Sequence, residues 1–162
     1  MQDPAGLEAL FARARERLAS VPREALGRLE LPGGIRRMLG GQPRIVPAGE
    51  AWRVGVLLIG ETGVFEVGDV VRAAEPRRRG YAAEATRQRA EAGAMCVRGG
   101  FAAGTAVNVD FHEIDLDAVA NGGASGPLAW QGDVLTVRWA PGGATMPLAA
   151  YLDERVATIR GE

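Results

Sequence analysis

The pattern that most constrains this chain lies between Trp52 and Ala74. Trp52, Val54, Val56 and Leu58 alternate with their neighbours, which is the two-residue period of a strand with one buried face. Gly60-Glu61-Thr62-Gly63 follows as a turn signal, and Val64 to Ala74 reads as the returning strand, bulged at Gly68-Asp69. A tight hairpin in mid-chain commits the fold to antiparallel pairing, and the apolar face of such a sheet has to be covered.

The remaining elements are expected around that hairpin. Residues Pro4 to Ser20 read as an amphipathic helix with Leu7, Leu10, Phe11, Ala14 and Leu18 on one face, capped by Asp3. A second short helix is expected from Pro22, carrying Leu26 and Leu29 until Pro32-Gly33-Gly34 stops it, with one more turn from Ile35 to Leu39. Good helix formers from Ala82 to Arg98 predict a central helix, ended by Gly99-Gly100. Val107 to Phe111 predicts a strand. Leu128 to Gln131 and Val134 to Trp139 predict a second hairpin around Gly132-Asp133. Pro147 to Ile159 predicts a last helix. The expectation is a single α+β domain over residues 1–162. It has a mainly antiparallel sheet built from two β-hairpins plus one further strand, covered by about four helices. Residues 1–41 form an N-terminal helical segment packed on the sheet.

Composition narrows the chemistry. All 19 basic residues are arginine, so a Schiff-base lysine, a phosphate-loop lysine and a Ser/Lys nucleophile pair are excluded. Cys96 is the only cysteine, which rules out an intrachain disulfide and a multi-cysteine metal site. No apolar run approaches the roughly 20 residues that span a bilayer, and Met1-Gln2-Asp3-Pro4 lacks a basic leader. A cytoplasmic protein without membrane attachment, metal or cofactor is expected. Net charge is −1, but residues 72–98 carry +4 and residues 99–162 carry −5. A basic middle and an acidic end suit pairing within one molecule or between two.

Two constellations could carry function. His112 is the only histidine, and on an extended strand Asn108, Asp110 and His112 would share a face. Cys96 reads as a small buried thiol or as a nucleophile served by His112, with Asn108, Asp110 or Asn121 orienting the imidazole. Arg77, Arg78 and Arg79 with Tyr81 and Arg87 precede or open a helix, where guanidinium forks could grip a phosphate or carboxylate. Net charge near zero and the lack of a recognised module argue against nucleic acid as their partner. Ser125, in Gly122-Gly123-Ala124-Ser125-Gly126-Pro127, matches a nucleophile elbow poorly because Pro127 occupies the second glycine position.

Trp52-Arg53-Val54-Gly55-Val56-Leu57-Leu58, Val67-Gly68-Asp69-Val70-Val71-Arg72-Ala73, Arg98-Gly99-Gly100-Phe101 and Ser125-Gly126-Pro127-Leu128 resemble segments of a group of small uncharacterised proteins of high-GC bacteria. Val137-Arg138-Trp139 and Pro147-Leu148-Ala149-Ala150-Tyr151-Leu152 extend the resemblance over nearly the whole chain. Some of that group carry a glutaminase label. The resemblance implies a bacterial protein, and amide hydrolysis here would have to use Cys96 and His112. The few reactive side chains, the charge asymmetry and the available sheet edges point first to a non-catalytic binding or assembly domain. It would act as a homodimer or with a protein partner. Amide hydrolysis, and binding of a small anionic ligand or of nucleic acid by the Arg77–Arg79 loop, are the alternatives.

Overall fold

Leu7, Phe11, Ala14 and Leu18 recur at helical spacing, and all four are buried on α1 (Pro4–Leu18). That stripe is the first sign of where the apolar residues go. The computed structural model describes residues 4–76, 80 and 83–162. The chain is α+β, with five helices among the described residues and mostly antiparallel strand pairing. It divides into two compact units, the first made of Met1–Arg23, Ala51–Val67 and Phe111–Glu162, the second of Glu24–Glu50 and Gly68–Asp110. Where one core was expected, the buried hydrophobic residues gather in two clusters, one in each unit.

In the first unit, the end of β2 (Arg44–Val54), β3 (Leu57–Gly60), β4 (Val64–Glu66) and β7 (His112–Glu113) pair antiparallel in that order. A three-stranded antiparallel sheet orders β8 (Leu128–Gln131), β9 (Val134–Arg138) and β10 (Thr145–Pro147) with β9 central. α4 (Leu116–Ala120) is capped by Asp115, whose carboxylate accepts from Ala118 N at 2.8 Å. α5 (Leu148–Arg160) buries Leu148, Tyr151, Leu152 and Val156 and packs on α1. Tyr151 ties this helix to the β2–β3 turn: its hydroxyl accepts from Val56 N at 2.8 Å and donates to Val54 O at 3.2 Å.

In the second unit, the order is β5 (Asp69–Arg72), β6 (Ala106–Val109), β1 (Glu24–Glu30) and the start of β2. β5 pairs antiparallel and β1 parallel with β6. α2 (Gly34–Met38) lies between β1 and β2, and α3 (Glu84–Arg98) packs against β5. That contact is close because Gly93 has no side chain: a Cβ there would stand 2.8 Å from Arg72 O.

Four expectations are corrected. The helix expected from Pro22 is strand β1, because its pairing with β6 outweighs the weak local preference of Ala25 to Glu30. Residues 1–41 are therefore not wholly helical. The strand expected from Trp52 to Ile59 breaks at Gly55, whose φ of +61° makes a two-residue turn, and the strand before it reaches back to Arg44. The return strand from Val64 splits, and β5 pairs with β6 instead of β3. At the split, a Cβ on Gly68 would run into the carbonyls of Val109 and Asp110. Finally, the strand from Val107 stops at Val109, because Asp110 turns left-handed with φ of +54°.

Candidate functional site

Cys96 lies on the buried face of α3, packed with Ile45, Ala73, Val107 and Val109. Burial pushes its thiol up from the ordinary range, which suppresses the thiolate that nucleophilic attack requires. His112 is exposed on β7, opposite Glu66. The two residues belong to different units, so neither unit by itself assembles the pair. The left-handed turn at Asp110 also breaks the expected row of Asn108, Asp110 and His112. Asn108 is fully buried, and its amide donates to Glu24 Oε2 at 2.8 Å and Ala25 O at 3.2 Å.

Arg77, Arg78, Arg79 and Tyr81 lie outside the described residues. Arg87 is exposed on α3 and pairs with Glu84 one turn earlier at 2.7 Å. Ser125 has a structural role, its hydroxyl accepting from Asp115 N at 2.9 Å. Among the described residues, no three His, Cys, Asp or Glu side chains gather as they would around a metal ion, and no helix is long and apolar enough to cross a membrane.

The second unit contains a cleft of about 790 Å³. One wall is α3, through Ala85, Gln88, Arg89, Ala92 and Met95. These positions recur three to four residues apart and so share a helix face. Alanine at two of them keeps that wall thin, which leaves room between helix and sheet. The facing wall includes all four residues of β5, the last strand in its order, and extends through Val109 on β6 and Leu29 on β1 to Ile45 on β2, with Asp110 beside them. The cleft therefore lies between α3 and the sheet and runs across several strands.

Exposed apolar side chains concentrate in the same unit. Among the described residues nine large hydrophobic side chains are exposed, and six of them are Leu29, Leu31, Ile35, Met38, Leu39 and Val70. Ile35, Met38 and Leu39, on and just after α2, are 78, 88 and 82% exposed. Leu29 and Val70 also line the cleft. This unit carries eleven arginines against eight acids, a net charge of +3, while the first unit carries −4.

Sequence reasoning missed the cleft, although a signal for it was present. From Glu84 to Glu91 helix α3 has no large apolar residue, so its first two turns have nothing to bury against a sheet. No protein-family model, no curated protein and no solved structure matches this chain.

Proposed function

We propose that the protein is a non-catalytic binding module that engages a protein partner through its second unit. The observation that carries this reading is the concentration of exposed large hydrophobic side chains around α2 and the β5 cleft. Leaving such side chains in water is costly, and clusters of them mark surfaces that are covered in use. The arginines around them suit the rim of a protein interface. Amide hydrolysis through Cys96 and His112 has less support, because the thiol is buried and its ionisation is suppressed. The arginine-only cationic composition and the single buried thiol favour a cytoplasmic protein of a high-GC bacterium.

Photo-crosslinking tests the reading. A benzophenone side chain placed at Met38 or Val70 in the producing cell should give discrete adducts to a protein partner or to a second copy of the chain. The same probe at Val134 or Trp139, which are exposed in the first unit, should give none. Equal labelling at all four positions, or adducts at none, would sink the proposal.

A further inference from the structure

We infer that the second unit's partner is another copy of this chain: the apolar arm around α2 of each copy enters the cleft of the other, and the two exchange arms about a two-fold axis. The inference rests on the binding-module reading and names its partner. The arm is the segment between β1 and β2. Leu31, Ile35, Met38 and Leu39 project from it into solvent, and no residue from 31 to 43 lines the cleft of its own unit. The cleft supplies the cover those side chains lack. Its walls carry Leu29, Ile45, Val71, Met95 and Val109, and at about 790 Å³ it has room for several aliphatic side chains. Arm and cleft also form one continuous surface. β1 runs parallel to β6 with Leu26 beside Asn108. Three residues on, Leu29 stands level with the chain just past Asp110, so the arm leaves the sheet at the Asp110 end of the cleft. Leu29 belongs to both, being half exposed and part of the cleft wall. A projection beside a matching recess is self-complementary under a two-fold rotation. Each copy then gives one arm and takes one, and the assembly closes at two.

Charge selects the same arrangement. Residues 28–44 carry four arginines and one glutamate, a net of +3, which is the whole excess of the second unit. Glu30 pairs with Arg44 and lies 3.8 Å from Arg36. At the end of the cleft beside the root of the arm, Asp69 opens β5 and Asp110 adjoins it across Gly68. Among the described residues, Arg37, Asp69 and Asp110 are in no ion pair. The cleft's own arginines stand at its other end. Arg72 closes β5 about 10 Å from Asp69, and its guanidinium donates to Gly104 O at 2.8 Å. Arg89 sits one helical turn from Gly93, which abuts Arg72 O. An incoming arm thus brings Arg36 and Arg37 to two carboxylates that lack a partner. The whole chain carries a net charge of −1, so two copies meet with little long-range repulsion. Aliphatic side chains without an aromatic anchor suit a weak dimer of folded chains, with a dissociation constant on the order of 10 μM.

Sedimentation equilibrium of the full chain from about 1 to about 200 μM should pass from the mass of one chain, 17.0 kDa, to twice that mass. Met38→Asp puts a carboxylate into the apolar tip of the arm, and Ala85→Trp fills the cleft from the helix side. Each should weaken association by about tenfold or more and keep the far-ultraviolet dichroism of the parent. Arg37→Asp and Asp69→Arg should each do the same alone, because each sets like charges together at both contacts. Mixed in equal amounts, these two variants should dimerise again, since the arm of each then meets an opposite charge on the other. A mass that stays at one chain throughout overturns the exchange of arms, and so does growth beyond two chains. A dimer indifferent to Met38→Asp and Ala85→Trp, or a mixture of the charge variants that stays monomeric, overturns it as well. The binding module still stands if the crosslinks at Met38 and Val70 lead to another protein. It falls too only if those crosslinks are missing.

Discussion

The two units of this chain dispose of their apolar residues in opposite ways. The first gathers eighteen buried residues into one cluster, Phe11, Leu18, Trp52 and Tyr151 among them. The second gathers five, and the largest are Ile45, Val107 and Val109. The first leaves Val134, Trp139 and Ile159 exposed among its described large hydrophobics, whereas the second leaves twice as many. Both are built from helices and short strands, so the difference lies in where side chains point. The first unit stores its hydrophobic surface inside, as a scaffold does, and the second displays it. A binding surface gains from remaining uncovered until a partner arrives, and regions with few buried contacts are those that open most readily.

Truncating the larger core should produce the largest effect. Phe11 is fully buried in the first unit, and Phe11→Ala should cost about 3–5 kcal/mol in chemical denaturation. If it costs no more than truncation of an exposed residue in the second unit, the contrast between scaffold and display fails. Tyr151→Phe sharpens the same point at smaller scale. It removes the acceptor of Val56 N and the donor to Val54 O, which should cost about 1–3 kcal/mol because a part-buried backbone N–H is left without its partner. A loss below a few tenths of a kilocalorie would show that water replaces the hydroxyl.

Which parts of this contrast could be read in the sequence follows from how local their causes are. The face of α1 and the long helix ending at Gly99 are set by residues within a few turns of one another, so helical periodicity finds them. Strand β1 is not set locally. Leu26 and Leu29 sit three apart, as on a helix, but the partner that holds the segment extended is β6, about 80 residues later. The break at Gly55 escaped notice because Val56 continues the apolar alternation through the turn. The candidate site divides in the same way. Cys96 and His112 stood out as single examples of reactive types, yet chemical type says nothing about burial. The cleft depends on the small size of Ala85 and Ala92, and small residues on a helix look like ordinary helix formers until the opposing strand is known.

Cys96 offers a test of the second unit's core that ordinary truncation would not. Its folded thiol ionises above the ordinary range because burial disfavours the thiolate. As pH rises, the unfolded chain loses this proton first, so between the two pKa values the folded state binds more protons. The contribution to stability is fully present below the unfolded thiol's pKa and is lost as pH rises through the folded one. Urea titrations across the alkaline range should show stability falling by less than about 1.4 kcal/mol per pH unit. Cys96→Ala should flatten that part of the profile. An unchanged slope in the variant would place its origin in another group.

The smallest effect is the most informative about display. Ile35 and Met38 lie almost wholly in water, so Ile35→Ser and Met38→Ser have little folded-state contact to remove. Each should change the unfolding free energy by less than about 0.5 kcal/mol. If these side chains cover no part of the second unit's own core, the double variant should unfold at the same urea concentration as the parent. A loss of 2 kcal/mol or so, of the size expected for a core deletion, would instead mean that the segment folds back onto its own unit in solution. The exposed patch would then be a poorly closed core and not a surface kept for a partner.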